Sequence, residues 1–354
     1  MKTQNIIVAV LIVLFVISPS FKARANNTLE IKQNEKALSD VKVDSLISNI
    51  IETIDQYYVD PSLGKKIING LKKNLKDGKY GSIKTIDEFA NQITTDLRSL
   101  SNDLHLYILV NDENQEGPRR MMRRRPGSGE MPKEGYYSSK ILEGNIGYFK
   151  PNRVLIAGGS INKDMDEKML RLKNTDALII DMRNVPGGVP EGVQLLSSYL
   201  YGKEEVVLTT YVDRVNGSQV SKTRPNKVSF YYQNKPVYVL INGNTASGGE
   251  SFTYTNQQHG RVTVVGEKSR GAGRLASRYP IHSKLSLSVS IRKSIHPKSG
   301  TGFEGIGVIP DKNISSSESL HKAHIMTLNE LVKSGRNENE LKDVLSGLIK
   351  KEDE

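Results

Sequence analysis

The 354-residue chain contains no cysteine. That absence excludes a disulfide framework, a thiol nucleophile and a lipid anchor carried on a cysteine. Long apolar runs are also missing beyond the first residues, so no later segment is expected to cross a membrane. Gly271-Ala-Gly273 is not a phosphate loop, because no Gly-Lys-Ser/Thr closes it, and no nucleotide, flavin or haem signature is present. His321 and His324 lie three apart on an expected helix without a third ligand, and read as a solvated face. His259, His282 and His296 are scattered without ligand spacing. Neither a metal nor an organic cofactor is implied. No internal repeat is visible at the roughly 20–50-residue periods of solenoids and propellers.

What is present starts with an expected leader. Lys2 supplies a positive charge, Ile6 to Ile17 is an apolar run of twelve, and Ala23-Arg24-Ala25 offers small residues at a cleavage position. These features read as a secretory signal peptide over residues 1–25, cleaved after Ala25. Twelve apolar residues are too few to span a bilayer comfortably, so no stable membrane insertion is expected after cleavage. A periplasmic or secreted location follows. Cleavage removes three cations and no acid, taking the net charge from +11 to +8. Part of the remainder is local, since Arg119, Arg120, Arg123, Arg124 and Arg125 fall among Gly, Pro and Ser. Without adjacent aromatic stacking platforms the cluster reads as a solvated insertion rather than a nucleic-acid site.

Periodicity divides the rest. From Val43 to Tyr58 apolar residues fall at helical spacing, Asp60-Pro61 breaks that helix, and Gly64 to Leu75 reads as a second one. Thr85 followed by Glu88 resembles a capping box opening a third helix through Leu97. Residues 41–107 are thus expected to form a small helical bundle, and 108–140 an Arg/Gly/Pro-rich linker or loop. Strands are expected at 144–149, 176–181, 206–211, 227–232, 237–241 and 261–265, with helices at 161–172 and 191–201 between them. This alternation argues for an α/β layered core over 141–316. A polar helical tail is expected over 317–354.

The most informative stretch is Asn242-Gly-Asn-Thr-Ala-Ser-Gly-Gly-Glu250. It follows the apolar Val237–Ile241 and precedes a helical segment, which sets Ser247 at a strand-to-helix bend. A serine there is pushed outward, and N–H groups at the helix start can face a developing oxyanion. A Ser/Gly-rich loop that merely caps a helix is the competing reading. Glu250 reads as complementing the positive helix end. A serine nucleophile needs a base, and the base an orienting group. Candidates exist in Asp103-Leu-His105, in the glycines of Asp181-Met-Arg-Asn-Val-Pro-Gly-Gly188, and in Glu304 of Phe303-Glu-Gly-Ile-Gly-Val-Ile-Pro-Asp311. Asp181 and Arg183 read as a local pair holding the glycine loop.

Four segments in order, 181–188, 244–250, 265–273 and 302–311, resemble the tail-specific (C-terminal processing) protease and interphotoreceptor retinoid-binding protein-like family of serine peptidases. The resemblance covers roughly residues 41–315. It implies a ClpP/crotonase-like catalytic core of ββα units behind an N-terminal helical bundle. It also separates two branches. The Ser–Lys branch carries a lysine where this chain has Ala272, and usually a PDZ domain that the 33 residues from 108 to 140 cannot hold. Lys268 lies nearby, at a position where the family tolerates many residues. The histidine-base, tricorn-like branch matches better. It implies Ser247 as nucleophile, His105 as general base and Glu304 as orienter, with an oxyanion hole from Gly248 and Gly187 or Gly188. The further serine that tricorn-type members place before the histidine is Leu104 here. A peptide or protein is the implied substrate. The rival implication is a catalytically silent relative that binds apolar ligands or peptides.

Overall fold

The computed structural model describes residues 42–111, 135–152, 158–336 and 338–350. The expected leader and the Arg119–Arg125 cluster lie outside the described residues.

Three helices come first among the described residues: α1 (Val43–Tyr57), α2 (Pro61–Lys76) and α3 (Ile86–Ser101). Asp60 accepts the Leu63 N–H at 3.0 Å and Pro61 starts α2 where a missing N–H costs nothing. Thr85 and Glu88 form the reciprocal cap expected of α3, at 3.2 Å each way. The apolar faces of these helices do not close on themselves alone. Ile47, Ile50, Ile54, Phe89 and Ile93 share one buried cluster with Ile281, Leu285, Leu287 and Val289. Those four come from a long hairpin, β9 (Arg274–His282) and β10 (Leu285–Ile295), some 180 residues later. The bundle and the hairpin are therefore one packing unit.

The hairpin belongs to an antiparallel sheet in which β10 also pairs with β1 (Tyr107–Val110) and β5 (Val207–Asp213), and β5 with β6 (Gly217–Lys222). The second sheet runs β11–β8–β7–β4–β3–β2. Its members are β2 (Tyr137–Leu142), β3 (Ile146–Pro151), β4 (Ala177–Asp181), β7 (Val237–Ile241), β8 (Thr263–Gly266) and β11 (Lys312–Asn313). From β3 through β11 the neighbours are parallel. Every residue of β4 and β7 is buried, because helices cover both faces. Alternate residues Leu178, Ile180, Val237, Val239 and Ile241 meet α4 (Gly159–Leu170), α5 (Pro190–Leu200) and α6 (Gly248–Gln258). Their neighbours Ala177, Ile179, Tyr238 and Leu240 meet α7 (Ser319–Lys333) and α8 (Glu338–Lys350).

Several expectations need correction. The tail is not a polar appendage, since Ala323 and Leu328 are fully buried against the sheet. Nor does His324 face solvent: it is buried, and its Nε2 meets the Glu143 carbonyl at 2.7 Å. The strand expected at 227–232 is absent. Pro225–Lys227 forms one 3₁₀ turn, after which Phe230 and Tyr232 plug into the core. The Tyr232 hydroxyl donates to the Thr175 carbonyl at 2.9 Å. Alternation there records burial of every second residue, not strand pairing. Strands β1 and β2 also take up the two ends of the segment expected to be linker.

Candidate active site

The turn after β7 is sewn to the loop after β4. Thr245 Oγ1 donates to the Met182 carbonyl at 2.9 Å, and the Ala246 N–H to that of Val185 at 3.0 Å. Asn242 and Asn184 exchange bonds, the Asn184 N–H meeting Asn242 Oδ1 at 3.1 Å and Asn242 Nδ2 meeting Asn184 Oδ1 at 3.0 Å. Asp181 anchors the same loop through a bidentate pair with Arg183, at 2.9 and 2.7 Å. Held from both sides, the chain turns sharply at Ser247, whose φ of 49° and ψ of −114° are strained for a residue with a Cβ. Helix α6 starts at the next residue.

The glycines around Ser247 are there for backbone contact. A Cβ on Gly248 would sit 2.7 Å from the N and Cα of Gly188, so the two backbones touch. One on Gly187 would lie 3.9 Å from Ser247 Oγ. An apolar pocket lined by Val189, Val193, Tyr211, Leu275 and Phe303 opens beside the serine.

Glu250 does more than face a helix end. It is fully buried and accepts from the N–H of Ser247 at 2.8 Å, of Gly271 at 2.5 Å and of Ala272 at 2.8 Å, and from Ser269 Oγ at 2.6 Å. Ser269 Oγ in turn accepts the Val308 N–H at 2.6 Å. One carboxylate thus fixes the serine turn, the Gly271–Gly273 segment and the turn that follows Glu304. Its place at the third helical position was the only sequence signal of this.

The other candidates gather at the far end of that glycine segment. A Cβ on Gly273 would lie 2.8 Å from the Glu304 backbone nitrogen, and the Gly273 N–H donates to Glu304 Oε2 at 2.6 Å. Arg274 follows, and its Nη1 reaches Asp103 Oδ2 at 2.9 Å and the Tyr58 hydroxyl. Asp103 is fully buried, and its Oδ1 accepts the His105 N–H at 2.9 Å. Neither Arg274 nor Tyr58 was expected at the site. His105 Nδ1 and Glu304 Oε1 are both buried and, among the described residues, without a hydrogen bond, although Arg274 Nε lies 3.8 Å from that carboxylate oxygen.

Burial, together with Arg274 and Arg98 and against Asp103, pushes the His105 pKa below the usual imidazole value. These surroundings favour the neutral imidazole. Burial and Asp103 push the Glu304 pKa up to about 7, against Arg274 and the Gly273 N–H. Ala272 brings no amine, and Lys268 is exposed to solvent. The described residues hold no group of three or more His, Asp or Glu able to hold a metal.

Ser247 sits on a tight strand-to-helix turn between bare backbone groups, with an imidazole and a carboxyl carried on segments that meet the next loop. The model for peptidase family S41 matches residues 145–314, and that for the N-terminal domain of the family in eukaryotic interphotoreceptor retinoid-binding protein matches 34–142. The chain belongs to peptidase family S41. It is 28% identical over 197 residues to the carboxy-terminal-processing protease of Bartonella bacilliformis, covering 53% of this chain and 43% of that protein. It is 30% identical over 144 residues to the carboxyl-terminal-processing protease of Synechocystis, covering 40% and 32%. The chain therefore matches under half the length of these relatives. Among solved structures, a lipoprotein from Streptococcus agalactiae shares the fold with a TM-score of 0.54 at 15% identity, covering 80% of this chain and 94% of that one. The photosystem II D1 C-terminal processing protease does so with 0.50 at 16%, covering 78% and 94%.

Proposed function

We propose that the chain is a serine peptidase in which Ser247 is the nucleophile, His105 the general base and acid, and Glu304 the orienting carboxylate. The observation that carries this is the strained Ser247 turn, pressed against the Gly187–Gly188 backbone. Ser247 Oγ attacks the peptide carbonyl carbon while its proton passes to His105. The N–H of Gly248, with that of Gly187 or Gly188, receives the negative oxygen. Collapse expels the amine, protonated by His105, and leaves an ester on Ser247. Water then gives a proton to His105 and attacks the ester, which releases the acid and restores the serine. Glu304 accepts from His105 Nδ1 and holds the tautomer that leaves the other nitrogen free. Both atoms are buried and neither has a hydrogen bond among the described residues, so bringing them together would satisfy two costly groups at once.

The relatives named for processing carboxyl termini support a polypeptide presented by its end as substrate. The apolar run Ile6–Ile17 supports a periplasmic or secreted setting. No described helix is long and apolar enough to cross a membrane. The unmade bond between His105 and Glu304 is what favours the second reading, a silent binder of peptides or apolar ligands. Mass-spectrometric profiling with a mixed peptide library separates the two. Cleavage by the wild type and none by Ser247→Ala or His105→Ala supports the peptidase. Tight retention of peptides or apolar ligands without cleavage, equal in all three, supports the binder.

A further inference from the structure

Arg274 is the first residue of β9, directly after the glycine segment that borders the serine. Its guanidinium is mostly buried and lies between two carboxylates on different parts of the chain. Nη1 is 2.9 Å from Asp103 Oδ2, and Nε is 3.8 Å from Glu304 Oε1. The same Nη1 contacts the Tyr58 hydroxyl, and the guanidinium carbon lies 5.3 Å from the centre of that ring. Tyr58 also donates to Asp103 Oδ2 at 3.0 Å. Asp103 is fully buried, and its remaining oxygen holds the His105 backbone. One cation therefore ties the loop that carries the base to the turn that carries its orienter.

We propose that Arg274 is a positioning residue: it docks the Asp103–His105 loop onto the nucleophile's side of the molecule and keeps Glu304 in the charged form that can accept from the histidine. The proposal rests on the roles given above to Ser247, His105 and Glu304. Its physical basis is the balance of charge around Glu304. Burial disfavours its negative charge, as does Asp103; Arg274 and the Gly273 N–H favour it. His105 is faced by Asp103, Arg274 and Arg98. Removing the guanidinium charge leaves Glu304 beside a buried carboxylate with no counter-ion, and the proton goes onto Glu304. A protonated Glu304 no longer offers the histidine a charged acceptor. Removing the Asp103 charge acts in the opposite sense on both groups.

A bridge that only packs would lower the rate by the same factor at every pH. The test is the rate at which a fluorophosphonate modifies Ser247, followed by intact mass from about pH 5.5 to 9.5, with circular dichroism confirming the fold. Wild type is expected to show an acid limb. Arg274→Gln is expected to move its midpoint up by about one unit, Arg274→Lys by less, and Asp103→Asn to move it down. Where Arg274→Gln does not fold, Arg274→Lys and Asp103→Asn decide by their opposite directions. A midpoint that stays put in the folded variants, whatever happens to the plateau, overturns the proposal and leaves the peptidase reading standing. A wild type that takes no label on Ser247 at any pH overturns both.

Discussion

The two ends of the candidate site are built differently. The nucleophile end is held by local hydrogen bonds between the loops after two adjacent strands and by one buried carboxylate. Glu250 ties Ser247 to the glycine segment, and every oxygen it offers is used. The base end is assembled from three distant segments, around residues 58, 103–105 and 304, that meet through the side chain of Arg274. There, His105 Nδ1 and Glu304 Oε1 are buried without a hydrogen bond among the described residues. Rigidity at the first end suits an oxyanion hole, which works by needing no rearrangement. At the second end two buried polar atoms lack a hydrogen bond, a cost that a partner would remove. On the roles proposed above, the serine is held by its own turn, while the base depends on how the helical bundle seats on the β9–β10 hairpin.

Variants can break this contrast. Ser247→Ala is expected to abolish phosphonate labelling and peptide cleavage, a loss of about 10⁴-fold or more, with an unchanged melting temperature. Gly248→Ala drives a Cβ into the Gly188 backbone, 2.7 Å away, and is expected to slow labelling about 100-fold. Glu250→Gln leaves buried N–H groups facing an amide that must present one donor of its own. Chemical denaturation is expected to show a loss of about 2–3 kcal/mol. A Glu250 variant as stable as wild type would remove the distinction between the two ends.

The Glu304 carboxyl predicts the reverse sign. Its folded pKa is raised to about 7 from 4.5, so the folded state takes up the proton first. That stabilisation is complete below about pH 4.5 and is lost as pH rises through 7. At pH 8 the charged group weakens the fold. Glu304→Gln is expected to stabilise the protein there by about 1 kcal/mol, with the gain vanishing at pH 5, while cleavage falls. Thermal melts at the two pH values check this, and a gain equal at both would contradict it. Tyr58→Phe, which removes one of two donors to Asp103 Oδ2, is expected to cost under about 1 kcal/mol in the same assay.

Legibility in the sequence followed the same division. The strand–turn–helix around Ser247 was readable because its determinants are local: an apolar run, small residues, then a helical segment. The helices before residue 102 were readable from period and caps. The β9–β10 hairpin escaped notice, although it carries Arg274 and completes the bundle's core. Its polar, serine-rich residues, Ser286, Ser288 and Ser290, are buried by contacts that no local pattern announces. The tail reads as polar for a related reason, since a few apolar side chains such as Leu328 and Leu331 suffice to seat it on the sheet. His105 and Glu304 were nominated by resemblance. Arg274 and Tyr58 carry no signature of their own, and only the fold puts them together.

The most direct test of this account is intact-mass labelling of the wild type, Ser247→Ala and His105→Ala with a fluorophosphonate at pH 8. The account predicts one adduct, mapped to Ser247, on the wild type, none on Ser247→Ala, and labelling of a folded His105→Ala slowed by about 100-fold or more. Labelling of His105→Ala at the wild-type rate would contradict it, because the serine would then owe its reactivity to the turn alone and nothing to a base brought in from the helical bundle.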